Sequence, residues 1–478
     1  MSRSRMWACA ALAVFNAVVW ALVTPPLQVP DERSHLSYAQ FLAESGRPPR
    51  PVTPVPDRGE QHFLLEGLPF SLDQRPTWSS AEDRRVRREL NRPRPPIEES
   101  AVKNAVTYPP LYYVYEAVPA AVGSSLSLLD RLYLMRVVSA MLAGVTVASA
   151  FLFLRELLPG TPWAWTVGGL VVGFHPLLGA ISGGVNNDAM VYAAGAVVLL
   201  VIARCFRLGL TRRRGVALGA AAAAGVLVKA TMVGLLPGAA LGVLVLCWRS
   251  RGDARSSARQ GALAAGSLLA GVTAGWLALD VLVFDRPLAA ATGGMVSGAV
   301  ERATTLRGQL SYLWQFFLPR LPFMVDAFPG YPEYPVWDVY LQGFVGRFGW
   351  FQYGFPLWVN LLGLAVLVVV AGFAGVELAR CREALRRRWP ELAVYATMLA
   401  GTLLLVAVTG YRYREASGFN FEQPRYLFTL LPLYGAVVAL AARGVGRRWG
   451  QTAGAVLVTV AAWHSLFSML LTINRYYV

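Results

Sequence analysis

Close to the start of the chain, Pro30-Asp31-Glu32-Arg33-Ser34-His35 sets two adjacent carboxylates and an imidazole within a few residues. A carboxylate held against apolar surroundings can have a raised pKa and serve as a general base. Asp31 and Glu32 are therefore the candidate catalytic residues, and His35 is a candidate substrate contact. The competing reading is structural: acids favour helix N-termini, and Asp31 and Glu32 would then open a short helix running on through His35, Leu36 and Tyr38. His35 could also join a metal site, but Asp-Glu-x-x-His is not a zinc-protease helix and supplies few ligands.

Other places carry chemistry too. Thr107-Tyr108-Pro109-Pro110-Leu111-Tyr112-Tyr113 reads as a proline-stiffened aromatic turn, with Tyr108 and Tyr112 as a wall for a lipid or sugar or as interfacial aromatics. Between Gly410 and Arg425 lie Arg412, Arg414 and the run Gln423-Pro424-Arg425-Tyr426. Guanidinium groups there could grip a phosphate through paired hydrogen bonds, or bind lipid headgroups, or pair with Glu415 and Glu422. Asn186-Asn187-Asp188 and Lys229, one of only two lysines in the chain, sit at the ends of apolar runs. Ionisable groups at such depths are costly and point first to function, with interfacial anchoring as the alternative. No Gly-rich phosphate loop, Ser-His-Asp order or Cys/His metal spacing is present, which argues against a nucleotide-driven pump.

What must position these residues is a membrane-embedded chain. It has 478 residues, 55% of them hydrophobic, gathered in long runs. Met6 to Thr24 is uncharged and long enough to cross a bilayer; with no small-x-small cleavage site before Pro25 and Pro26, it reads as an uncleaved anchor. Further apolar runs recur near 109–127, 132–154, 163–181, 187–207, 215–229, 231–248, 259–284, 356–378, 391–411, 424–442 and 450–472. The expected fold is an all-α polytopic membrane protein of about 11 to 12 transmembrane helices with two large outer loops. Its expected division is an anchor (1–24), a first outer loop with the catalytic motif (25–108), a bundle (109–284), a second outer loop (285–355) and a C-terminal bundle (356–478).

Charge sets the orientation. The net +16 comes from arginines in short connections: Arg204, Arg207 and Arg212 to Arg214; Arg249, Arg251, Arg255 and Arg259; Arg380, Arg382 and Arg386 to Arg388; Arg443, Arg447 and Arg448. Such clusters beside span ends are the positive-inside signal, so no nucleic acid is needed to explain them. The loop from Pro25 to Tyr108 holds twelve acidic and twelve basic residues and is free to face outward. If every run crossed, the arginines at 204–214 would fall outside, so one run does not cross fully. The run at 109–127, with Pro109, Pro110, Glu116 and Pro119, is the expected exception. Ser79 to Asn91 reads as a short helix capped by Ser80, and the proline-rich stretches at 48–56 and 93–96 as extended connectors. Cys9, Cys205, Cys247 and Cys381 lie in spans or at their basic ends, leaving the outer loops without a disulfide. Abundant arginine with almost no lysine suggests a high-GC bacterial source, hence a bacterial inner membrane with the N-terminus in the cytoplasm.

The order of these motifs, an outer loop opening with Asp31-Glu32, a Pro-Pro-Leu-Tyr-Tyr turn, a chain of spans and a late Pro-Arg-Tyr, resembles the GT-C superfamily of membrane glycosyltransferases. Pro30 to His35, Asn187-Asp188, Lys229 and Gln423 to Tyr426 are most similar to an uncharacterised bacterial branch related to protein O-mannosyltransferases. The resemblance implies transfer of a sugar from a polyprenyl-phosphate carrier to an envelope glycan, lipid or protein on the outer face, usually with inversion. It implies Asp31 as the base, Glu32 assisting or orienting it, and Arg425 as the first cation for the leaving phosphate, with Arg412, Arg414 and Lys229 in reserve. Relatives differ in their use of a divalent metal, and no constellation here decides for one. A transporter or flippase of lipid-linked saccharides is the rival reading, although no internal repeat is visible. A non-catalytic envelope assembly protein is the third.

Overall fold

The computed structural model describes residues 2–51, 79–81, 84, 85, 88, 97–102, 104–287, 305–328, 335–349, 351–418 and 422–478. Residues 80, 81, 84, 85 and 88 of the expected 79–91 segment are helical. Ser79 precedes them outside the helix, and residues 82, 83, 86, 87 and 89–91, with the connectors at 52–56 and 93–96, lie outside the described residues.

In lipid every backbone polar group must be satisfied within its own segment, so each apolar run folds as helix. The helices are α1 (Ser2–Val23), α2 (Glu32–Ser45), α3 (Leu111–Val122), α4 (Leu128–Leu157), α5 (Pro162–Gly173), α6 (Pro176–Ser182), α7 (Asp188–Leu208) and α8 (Arg212–Val226). They continue with α9 (Leu236–Arg249), α10 (Asp253–Leu282), α11 (Leu306–Phe317), α12 (Gln342–Gly346), α13 (Leu357–Arg380), α14 (Arg382–Ser417), α15 (Leu431–Gly444) and α16 (Gly450–Tyr476). Short 3₁₀ segments, Ala230–Leu235 and Pro424–Leu430, lead into α9 and α15. A two-residue hairpin pairs β1 (Arg347–Phe348) with β2 (Tyr353–Gly354).

Among the described residues nine helices are long and apolar enough to cross a membrane, and α5 with α6, bent by 57°, makes a tenth as one broken span. Pro176 explains the break, because its ring denies the preceding turn a hydrogen bond. The 15-residue α8 runs antiparallel to α7: Arg214 bonds the Leu208 carbonyl at one end and Lys229 pairs with Asp188 at the other. With α8, eleven such segments among the described residues run from one end of the bundle to the other. Helix α3 is not one of them. Its Tyr112 bonds Ser139 of α4 at 2.8 Å and Arg131 of α4 reaches back to Gly123, so α3 lies along the first turns of α4 and both its ends stay on one side. This is the exception that the arginine distribution requires.

The basic connections meet at one end of the bundle. Glu156 gathers Arg155, Arg204 and Arg207, Arg388 bonds the Leu157 carbonyl, Arg380 bonds Gly444, and Arg443 pairs with Glu377. The α1–α2 turn, the α6–α7 loop, Lys229, Arg425 and the hairpin meet at the opposite end, where the rings of Trp20 and Phe348 lie tilted with centroids 5.2 Å apart. Gly183 and Gly184 allow this convergence. A Cβ on Gly183 would lie 2.5 Å from the Ala17 carbonyl oxygen, and one on Gly184 would lie 2.5 Å from a Val29 methyl.

Candidate active site

Helix α2 does begin at the acidic pair, as the structural reading expects, yet Asp31 does not cap it. Asp31 stands at the N-cap position in the left-handed region (φ 62°, ψ 4°) and its side chain makes no capping bond. Aspartate enters this region more readily than most residues, but Leu27 four residues earlier does so too (φ 65°), and such conformations persist only where packing enforces them. The effect is to throw the Asp31 carboxylate out of the helix line. Its Oδ2 accepts a 2.9 Å hydrogen bond from Arg425 Nη2, and the side chain remains 26% exposed.

Arg425 is itself buried, and its Nε lies 3.5 Å from Asp188 Oδ2. The other oxygen of Asp188 accepts from Lys229 Nζ at 2.5 Å. Lys229 lies over the rings of Tyr108 (5.4 Å) and Tyr426 (5.2 Å), and Arg425 lies over Tyr426 (5.5 Å). Two carboxylates and two cations thus alternate between aromatic walls. Asn186 fixes the loop by donating to the Pro30 carbonyl at 2.7 Å and accepting from the Asp188 amide at 2.9 Å. The Asn187 side chain is fully buried with no hydrogen-bond partner among the described residues. Burial pushes the Asp31 pKa up, but the Arg425 charge, first among those that face it, together with His35, the Arg425 hydrogen bond and Lys229, outweighs burial and holds the carboxyl below its ordinary value.

Glu32 turns the other way. It is fully buried; Arg136 Nε and Nη2 clasp its two oxygens at 2.8 and 2.6 Å, and the Val185 amide donates to Oε1 at 2.9 Å. Its side chain is enclosed by these partners and has no face toward an incoming molecule. The paired-carboxylate expectation is corrected to this extent: Asp31 is presented and Glu32 anchors.

His35 is enclosed as well. It stacks at 5.8 Å against both Tyr108 and Tyr113, stands edge-on to Tyr112, and its Nδ1 meets Tyr113 Oη at 2.8 Å. Tyr112 is fully buried and bonded to Ser139. These two residues build the wall from behind; Tyr108 is the one that faces Lys229. Burial pushes the His35 pKa down to about 4, against the pull of Asp31. The unfolded chain binds a proton at this imidazole below about 6.5, whereas the folded protein does so only near 4. Stability is therefore lost as pH falls through that window, by roughly 3 kcal/mol at the limit. The expected result is that His35→Gln flattens the acid dependence of the thermal midpoint in detergent between about pH 7 and about pH 4.5. An unchanged slope would place the effect elsewhere.

Arg412 and Arg414 are not part of the cluster. They lie in the last turns of α14, Arg412 exposed and Arg414 over the Phe328 ring at 5.5 Å, while the cations facing Asp31 are Arg425 and Lys229. Among the described residues no group of three or more His, Cys, Asp or Glu is gathered as for a metal ion. Sequence reading missed Arg136, whose signal is a lone arginine inside the apolar run 132–154, and Tyr113, hidden in the aromatic turn. It also missed the Asp280–Arg286 pair (2.8 Å, both fully buried), where Arg286 holds the Val106 carbonyl next to Tyr108. Beside Arg425 lies a narrow cleft lined by Trp20, Ile181, Phe348, Phe351 and a further arginine, Arg347.

Compared with solved structures, the whole chain superposes on 56% of the length of the Archaeoglobus fulgidus oligosaccharyltransferase in its apo form, with TM-score 0.55 and 13% identity. A second structure of that protein, tethered with an acceptor peptide containing the NVT sequon, shares 12% identity over 98% of this chain and 55% of that one, with TM-score 0.45. The chain thus spans little more than half the length of these proteins. The likeness to the apo form shows a GT-C-like fold on an all-α multi-pass membrane protein. No curated protein sequence matches the chain. A family model described as "Predicted membrane protein (DUF2142)" matches residues 14–434, most of the chain, and the protein belongs to that family.

Proposed function

We propose that this protein is a glycosyltransferase that moves a sugar from a polyprenyl-phosphate carrier to a cell-envelope acceptor on the face of the membrane opposite the arginine clusters. The observation that carries the reading is the partly exposed Asp31 carboxylate, thrown out of its helix by a left-handed conformation and bonded to a buried arginine that also faces Asp188. A general base and a phosphate-binding cation are the two groups such a transfer needs, and here they touch. The GT-C-like fold supports the same reading.

In the proposed step, the acceptor oxygen attacks the anomeric carbon while its proton passes to Asp31. The bond from that carbon to the phosphate oxygen breaks, and the electron pair leaves with the polyprenyl phosphate. Arg425 links the two events. While it is paired with Asp31 the carboxylate is a weak base; when it turns to the developing phosphate charge, Asp31 is released and becomes more basic. Lys229 neutralises Asp188, so that Arg425 is not held by two anions at full strength. The apolar side chains lining the cleft beside Arg425 are the proposed contact for the first isoprene units. The enclosing membrane is that of a bacterial cell, with the N-terminus on the cytoplasmic side.

The test is reconstitution in vesicles with labelled polyprenyl-phosphate sugars and an envelope extract as acceptor. Release of polyprenyl phosphate together with label in the acceptor supports the proposal; intact donor delivered to the other leaflet would replace it with transport. The pH profile gives a second check. Arg425→Gln removes the charge that holds the Asp31 pKa down and leaves the burial that pushes it up. Turnover should fall by about 10²–10³ with the loss of leaving-group stabilisation. The acid limb of the residual kcat/KM should move to higher pH. A limb that stays in place would separate Asp31 from the titration that governs the rate.

A further inference from the structure

Helix α11 and the turn after it sit over the bundle with one face packed and the other bare. Tyr312, Gln315 and Phe316 are buried, Tyr312 lying against Tyr411 (5.5 Å) and Phe328 (4.6 Å). Gln315 fastens the following turn by donating to the Val325 carbonyl at 2.9 Å and accepting from the Ala327 amide at 3.0 Å. On the other face Leu306, Leu310 and Trp314 are exposed by 72, 58 and 39%, and Leu318, Phe323 and Val325 continue the surface at 43, 71 and 88%. Residues spaced by four form a single stripe along a helix, so this is one continuous apolar strip.

We infer that α11 and the turn through Val325 lie flat in the membrane interface, with the stripe in the acyl boundary and Arg307 and Arg320 at anionic lipid headgroups. Depth is the first argument. The anchoring Tyr411 closes the apolar run 391–411 of α14, so α11 rides at the level where that span leaves the hydrocarbon. A strip of this extent facing water would be unusual, whereas an interfacial helix buries its apolar face about 5–10 Å into the headgroup and acyl boundary. Charge is the second argument: Arg307 and Arg320 are exposed just inside the first turn of α11 and just past its last, where anionic lipid attracts them. The helix reaches the site region through Tyr312, whose hydroxyl donates to Glu422 at 2.6 Å, three residues before Arg425. Seating α11 in lipid thereby steadies the segment that carries the arginine.

The experiment places a small fluorophore on Leu310→Cys in the full chain, with Cys247 and Cys381 replaced by serine, in vesicles of phosphatidylethanolamine and phosphatidylglycerol. Leu306→Cys repeats the measurement at a second exposed position, and Arg251→Cys, at the basic end, is the water-facing control. The expected result is loss of fluorescence at 306 and 310 with lipids brominated high on the acyl chain and none with aqueous iodide, and the reverse at 251. Exchanging phosphatidylglycerol for phosphatidylcholine should weaken the lipid quenching. Iodide access at both positions overturns the inference, as does protection from both quenchers, which would mean that protein covers the strip. Sugar transfer is not read out, so the result stands apart from the proposed function.

Discussion

Asp31→Asn is expected to lower turnover of a polyprenyl-phosphate sugar by about 10²–10⁴, the usual contribution of a positioned general base. The substitution isolates the proton acceptor. Asparagine tolerates the left-handed conformation (φ 62°) at least as well as aspartate, and its amide oxygen can still accept from Arg425 Nη2. The side chain is partly exposed and the acceptor for Arg425 is kept, so no buried group is orphaned, and the thermal midpoint in detergent should stay near that of the wild type. Release of polyprenyl phosphate from matched amounts of the two proteins is the measurement. Because the lost interaction is realised as the acceptor proton moves, the loss belongs in kcat rather than KM. Equal donor consumption by both proteins would remove Asp31 from the mechanism, and an assembly protein without catalysis would show no change in any envelope function.

The spans were readable because lipid leaves the backbone no choice but helix, and the arginines mark one end of the bundle so strongly that they identified α3 as the segment that does not cross. Asp31, Asp188, Lys229 and Arg425 were readable for a related reason: charges beside long apolar runs are expensive, and four of them scattered over nearly 400 residues invite a common meeting place. Their pairing was not readable, since Asp31 and Arg425 are 394 positions apart. Nor was the division of labour between Asp31 and Glu32. Neighbours at a helix start point in different directions, and only the left-handed turn at Asp31 decides which of them is presented. Arg412 and Arg414 stand from sequence in reserve behind Arg425. They differ because α14 continues to Ser417 and carries them past the cluster, whereas Pro424 starts a new segment that turns Arg425 inward.

Arg136→Leu is expected to cost about 3–5 kcal/mol, the range for removing one partner of a buried ion pair. All five guanidinium N–H groups are in use: two on the Glu32 carboxylate, two on the Ala21 and Thr24 carbonyls that end α1, and one on the Pro25 carbonyl. Leucine would fill much of the space and satisfy none of these acceptors, leaving Glu32 charged and fully buried with only the Val185 amide. The thermal midpoint and the yield of monodisperse protein in detergent measure the loss. A control at the exposed Arg251 should change neither. Adding Glu32→Gln to Arg136→Leu should recover part of the loss, because the double variant no longer buries an unpaired charge; no recovery would mean that the helix-end carbonyls, not the carboxylate, carry the penalty. Arg136→Lys separates folding from positioning. A lysine keeps the charge but offers three donors on a flexible stem in place of a planar fork, so the α1–α2 turn should fold and sit loosely. Asp31 is set by that turn. The lysine variant should therefore lose turnover while the acid limb of its pH profile stays in place, since Arg425, which governs the Asp31 pKa, is untouched.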